Sequence, residues 1–124
     1  MLSKAVHHVS FNVHDLEPAL HFYRDILGFE PIERPALGID GAWLRAGETQ
    51  IHLIVPPEGA DCGSPPAKTN PVANHTAFAI DDYAAVRDHL QRAGLEVLEF
   101  GTAERQMWVS DPAGNVLEFT VDSA

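Results

Sequence analysis

Val6-His7-His8-Val9-Ser10-Phe11-Asn12-Val13 returns sixty-seven residues later as Ala73-Asn74-His75-Thr76-Ala77-Phe78-Ala79-Ile80. Both copies place an apolar residue at every second position, the signature of a strand with one buried face. Both carry a His at the same place. An acidic helix start follows each, Asp15 after the first and Asp81-Asp82 after the second. Helical patterns then run from Ala19 to Gly28 and from Tyr83 to Gly94. The closing segments correspond as well: Gln50-Ile51-His52-Leu53-Ile54-Val55 aligns with Val116-Leu117-Glu118-Phe119-Thr120-Val121, at an offset of 66. The chain is thus one supersecondary unit used twice. The alignment makes His8 equivalent to His75, and His52 to Glu118.

Working outward, strands are expected over residues 5–13, 29–33, 42–46 and 49–55, and again over 74–80, 95–100, 106–110 and 116–121. In the first helix Leu16, Leu20, Tyr23 and Leu27 form an apolar stripe, with Asp15 as cap and Pro18 in the opening turn. In the second, Tyr83, Val86 and Leu90 point inward. Gly28 and Gly94 end the helices. Asp111-Pro112-Ala113-Gly114-Asn115 is a tight turn. The fold class is α+β: two βαβββ modules, 5–55 and 75–121, joined by an irregular Pro/Gly-rich linker over 56–74 and forming a curved mixed sheet within a single domain.

Composition narrows the function. The formal net charge of −10 opposes binding to nucleic acid or to an anionic membrane. No apolar run approaches the roughly 20 residues that span a bilayer. A single cysteine, Cys62, excludes a disulfide framework and fits a reducing cytoplasm. Met1–Lys4 leads directly into a strand, so no leader peptide is expected.

Strand parity carries the chemistry. His8, Ser10 and Asn12 alternate with Val9, Phe11 and Val13, so the histidines face away from the helix side. Glu118 likewise opposes the row Leu117, Phe119 and Val121, and the repeat turns His52 the same way. A lone strand histidine is ordinarily structural, and His7, His14, His21 and His89 are read so. Four ligand-type residues at two equivalent pairs of positions point instead to a divalent metal site of His8, His52, His75 and Glu118. Three imidazoles and one carboxylate suit Zn²⁺, Fe²⁺, Mn²⁺, Co²⁺ or Ni²⁺. Such an ion polarises a carbonyl or stabilises an enediolate. Trp43 and Trp108 occupy matching strand positions and are read as walls for a substrate, against the simpler alternative of core packing. Arg45 and Gln106 share their faces, Arg45 as a carboxylate clamp. Asn12 is placed to hydrogen-bond substrate.

Three stretches carry a family resemblance: His8–Leu16, Phe22–Phe29 and Asp111–Glu118. Together they resemble the vicinal oxygen chelate superfamily, which includes glyoxalase I, methylmalonyl-CoA epimerase, fosfomycin thiol transferases, extradiol dioxygenases and bleomycin-resistance proteins. Its metal positions, carried over, fall on His8, His52, His75 and Glu118. The resemblance implies a metal-dependent enzyme of lyase or isomerase type, acting on a small substrate that chelates the ion through adjacent oxygens. Glu118 is then both ligand and proton shuttle. The alternatives are an Fe²⁺ extradiol-type dioxygenase and a non-catalytic small-molecule binding or resistance protein. The family also implies a homodimer, since its modules pair within or between chains. The sequence departs from glyoxalase I at His52, where those enzymes usually carry Glu, and from the epimerases, which carry Gln there.

Overall fold

Alternating sequences can bury one face only by pairing with neighbours, and both halves do so in the same order. The computed structural model describes residues 1–101 and 104–122. The chain divides into two compact units, Met1–Gly63 and Ser64–Ala124, and the boundary falls within the linker.

In the first unit, β1 (His8–Asn12) is followed by α1 (Leu16–Leu20), β2 (Glu30–Ile32), β3 (Gly41–Ala46) and β4 (Thr49–Ile54). The sheet order is β1-β4-β3-β2, with β1 parallel to β4 and the other pairs antiparallel. In the second, β5 (His75–Ile80), α2 (Tyr83–Arg92), β6 (Leu98–Glu99), β7 (Gln106–Ser110) and β8 (Val116–Val121) build the order β5-β8-β7-β6 with the same directions. The expected βαβββ duplication is present as two four-stranded mixed sheets. No helix among the described residues is long and apolar enough to cross a membrane.

The two registers coincide rung by rung. His8 pairs with Gln50 as His75 pairs with Val116. Trp43 pairs with His52 as Trp108 pairs with Glu118. The β3–β4 rung Arg45–Gln50 corresponds to Ser110–Val116, so the second hairpin is longer by one residue. The extra residue lies in the Asp111–Asn115 turn. There the buried Asp111 carboxylate accepts from the Ala113 and Asn115 amides at 2.9 and 2.8 Å and from Asn115 Nδ2 at 2.8 Å. Asp and Asn earn their place in such turns by satisfying backbone donors locally.

Each unit has its own apolar layer on the helix side. Phe11, Val13, Leu44, Ile51 and Leu53 are buried in the first, Met107, Val109, Leu117 and Phe119 in the second. Phe11 stacks on Tyr23 at 5.5 Å between ring centroids, and Phe78 meets Phe119 at 5.9 Å. The first helix departs from the expected stripe. Its buried residues are Ala19, Phe22 and Tyr23, while Leu16, Leu20 and Leu27 are only half-buried. After Leu20 the backbone widens into a π-helical segment, His21–Ile26, closed by the Leu27 amide donating to the Phe22 carbonyl at 2.9 Å. Bonding over five residues turns successive side chains through a smaller angle than an α-helix does, which moves the inward row. Asp15 sits at the N-cap without a side-chain capping bond. Asp82 does cap α2, accepting from the Ala85 amide at 3.1 Å. There Tyr83 and Leu90 are buried as expected and Val86 is half-buried. Gly28 and Gly94 follow their helices at φ +76° and +88°, the left-handed stop that glycine adopts without strain. Five strands are shorter than expected: β4 and β5 by one residue each, and β1, β2 and β6 by more, beginning at His8, Glu30 and Leu98.

Candidate metal centre

In the second module the sheet gathers four polar side chains on the face opposite Phe119. Glu118 is buried, yet both its oxygens are occupied. Trp108, its cross-strand partner, donates from Nε1 to Oε1 at 3.0 Å. Gln106, two residues along β7 on the same face, donates from Nε2 to Oε2 at 3.1 Å. His75 on β5 brings Nε2 within 3.0 Å of Oε1. The other ring nitrogen of His75, Nδ1, lies 2.7 Å from the Ala73 carbonyl and donates its proton there. A ring nitrogen anchored on a backbone carbonyl fixes which nitrogen is left to a cation. Nε2 of His75 and Oε1 of Glu118 therefore present two ligand-type atoms to one point, and this pair fits a divalent ion. A buried carboxylate without partners is costly, and the two N–H donors, Trp108 and Gln106, offset that cost.

In the first module the equivalent positions hold a stack. His8 lies on His52 at 4.0 Å between centroids and 14° between planes, and His52 lies on Trp43 at 4.2 Å and 4°. His52 is buried, and its Nε2 lies 2.9 Å from Gln50 Oε1. Burial holds its pKa below the usual imidazole range, and the nearby His8, His7 and Arg34 add to that. Burial thus favours the neutral ring, the form that binds metal. His8 is exposed, and its Nδ1 lies 2.9 Å from Nδ1 of His7. An imidazole lone pair lies in the plane of its ring, so two parallel stacked rings direct their lone pairs along separate planes. As stacked, His8 and His52 do not both point at one ion. For the two to share an ion, His8 must leave the stack. It is the exposed member, whereas His52 is held by Trp43 and Gln50. Among the described residues, no group of three or more His, Cys, Asp or Glu side chains is gathered around one point.

The remaining expected site residues divide by role. Gln106 and Trp108, read from sequence as pocket lining, both grip the Glu118 carboxylate. Trp43 is a stacking support for His52. Arg45 donates from Nε and Nη2 to Glu30 Oε2 at 3.2 and 3.1 Å, so its guanidinium is engaged across the β2–β3 pair. Asn12 lies on β1 opposite Ile54, on the face of His8. Of the histidines assigned a structural part, His21 contacts Asp25 at 3.3 Å, whereas His7 touches His8.

Two neighbours were not anticipated. Gln50 fixes the His52 ring, and its signal was available: it stands two residues before His52 and so on the same strand face. Phe100 is exposed and meets the Trp108 ring edge-on at 5.2 Å. Its signal was available too: in the strand expected over 95–100 it shares the face of Leu98, which pairs with Trp108.

Comparison with known proteins agrees with the duplicated βαβββ fold. A family model for the Glyoxalase/Bleomycin resistance protein/Dioxygenase superfamily matches residues 5–119. The chain is similar to Glyoxylase I 4 of Arabidopsis thaliana, at 34% identity over 92% of this chain and 68% of that protein. It is also similar to the ethylmalonyl-CoA/methylmalonyl-CoA epimerase of Cereibacter sphaeroides, at 35% identity over 77% of this chain and 75% of that one. Among solved structures, a glyoxalase family protein from Bacillus anthracis superposes with a TM-score of 0.80 at 25% identity, covering 99% of this chain and 98% of the other.

Proposed function

Since the chain belongs to the Glyoxalase/Bleomycin resistance protein/Dioxygenase superfamily, we propose that it is a divalent-metal-dependent enzyme of lyase or isomerase type. Its substrate is a small molecule that chelates the ion through adjacent oxygens. The observation that carries this reading is the Glu118 carboxylate, buried and held by Trp108 and Gln106, with His75 Nε2 at 3.0 Å. Two curated relatives bearing the names of a glyoxalase I and an epimerase support the lyase or isomerase class over the dioxygenase.

The proposed ligands are His75 and Glu118 of the second module and His8 and His52 of the first, His8 joining once it turns out of its stack. When bound, the ion would polarise a substrate carbonyl and stabilise negative charge developing on its oxygen. The protein's own groups do the rest. Oε1 of Glu118 already has two polar neighbours, His75 and Trp108, while Oε2 has Gln106. With Oε1 turned, beside His75 Nε2, toward the point assigned to the ion, Oε2 is the atom assigned to take a proton from substrate and return it. Gln106 and Trp108 fix the carboxylate so that this transfer needs no reorientation. Proposed also are one functional domain built from both modules, and a homodimer.

Elemental analysis of protein purified without added metal tests the reading. A stoichiometric divalent transition metal, lost in His75→Ala with the fold intact, is expected. Protein that neither carries nor takes up such an ion would reject it.

A further inference from the structure

Among the described residues, Arg34 Nε is the buried side-chain polar atom that has no hydrogen-bond partner. The same guanidinium donates from Nη2 to the Ile39 carbonyl at 2.6 Å, which curls the β2–β3 loop around it. A guanidinium has five N–H donors in a fixed fork, suited to the two oxygens of a carboxylate. Here the fork is short of acceptors. Beside it lies an open cavity of about 540 Å³, lined by Arg34, Leu37, Ile39, Asp40, Val55 and Pro57 among others. That volume lies in the range of small-molecule sites, and its open wall is about evenly polar and apolar. Leu37 and Ile39 are large apolar residues left exposed.

The cavity's place in the sheet gives it meaning. Gly41 and Trp43 share one face of β3. A Cβ added at Gly41 would meet Arg34 Nη2 at 3.0 Å and Cζ at 3.3 Å, besides running into the Leu53 carbonyl. The guanidinium therefore rests on the Trp43 side of the strand, in space that the missing side chain leaves. Trp43 in turn stacks on His52. Arg45, by contrast, is paired with Glu30. Asp40 lines the same cavity and repels a second negative charge on the ligand.

The geometry points to a binding site for a small monoanionic organic acid: Arg34 takes its carboxylate, and Leu37, Ile39, Val55 and Pro57 take its carbon skeleton. This deepens the function proposed above, and it depends on that reading only for identifying the bound acid with the substrate.

Hexanoate and its uncharged isostere hexanamide, titrated into the isotope-labelled full chain as purified, test the site by NMR. Metal content is measured on the same sample. Hexanoate should shift the Arg34 Nε–H and the Leu37 and Ile39 methyl signals saturably, and hexanamide should bind about tenfold or more weakly. Arg34→Gln should weaken hexanoate by about ten- to a hundredfold, the range for loss of a charged hydrogen-bond partner. Arg34→Lys, which keeps the charge and loses the fork, should fall between. The exposed Arg24→Gln should bind as the parent does. Methyl spectra without ligand establish that each variant is folded, and Arg34→Lys serves if Arg34→Gln is not. Equal binding of hexanoate and hexanamide, no shift in the loop, or parent-like binding by the Arg34 variants overturns the site. Metal-loaded protein that ignores hexanoate rejects the acid site alone. Protein that binds hexanoate but takes up no metal rejects the metalloenzyme reading alone.

Discussion

Replacing Glu118 by Gln removes one charge and nearly no volume, so it separates metal binding from folding. Three groups surround the carboxylate: Trp108 Nε1 and His75 Nε2 at Oε1, Gln106 Nε2 at Oε2. A glutamine at 118 can keep its oxygen toward the Trp108 N–H. Its new NH₂ then faces Gln106, whose amide can flip to accept. The loss of fold stability is accordingly small, on the order of 1 kcal/mol for exchanging charged for neutral hydrogen bonds. Metal affinity should fall much further. Removing even an outer partner of a metal ligand costs about ten- to a hundredfold, and a lost carboxylate ligand should cost at least that. With metal at about a hundred times the parent's Kd, the parent gains about 2.7 kcal/mol. For a chain of this length that corresponds to roughly 10 °C in Tm. A variant binding a hundredfold more weakly gains only about 0.4 kcal/mol under the same conditions, or about 1–2 °C. Differential scanning fluorimetry with and without added Zn²⁺ or Ni²⁺ reads both quantities. Equal metal-induced shifts in parent and Glu118→Gln would refute the assignment of Glu118 as a ligand. A large loss of Tm without metal would refute the hydrogen-bond reasoning.

Three further outcomes are expected. Trp108→Phe keeps the ring but deletes the indole N–H at the Glu118 carboxylate, and should lower unfolding free energy by about 1.5–3 kcal/mol in urea titration. Asp111→Ala strands two backbone amides and the Asn115 side chain and should cost about 2–3 kcal/mol by the same measurement; a loss under about 0.5 kcal/mol would show that water replaces the carboxylate. His52 has a folded pKa below its unfolded value, so the unfolded chain binds more protons as pH falls. Its contribution is complete above the unfolded value near 6.5 and is lost as pH drops through that value toward the folded one. Stability should therefore decline over this window, and His52→Gln should flatten the decline.

Much of this molecule could be read from residues alone. The limits of β7 and β8 match the expected 106–110 and 116–121, because they flank a turn that Asp111 and Asn115 define chemically. The faces of His8, His52, His75 and Glu118 followed from parity, which the chain cannot violate without reversing every other side chain. In the first helix Tyr23 is buried as read, but the π-helical segment brings Phe22 inward beside it, and single-sequence periodicity assumes a constant turn angle. β6 misled because Leu95-Glu96-Val97-Leu98 alternates well enough for a strand, yet only Leu98 and Glu99 find partners on β7. Arg45 looked free for substrate because its partner, Glu30, lies fifteen residues away on a strand whose register no local pattern specifies. The stacking of His8 on His52 depends on ring torsions, to which sequence spacing is blind. The grip of Trp108 on Glu118 was closer to hand: the repeat aligns Trp43 with His52 and Trp108 with Glu118, and equivalent rungs imply equivalent neighbours.

The single residue by which the second hairpin exceeds the first sits past the last shared rung, in the bend closed by Asp111. Length has been allowed to drift there while the rows bearing His52 and Glu118 stay aligned. A length change there leaves those rows in step so long as the Asp111 bonds survive, whereas one residue gained inside either closing strand would swing its donor to the greasy side and silence it.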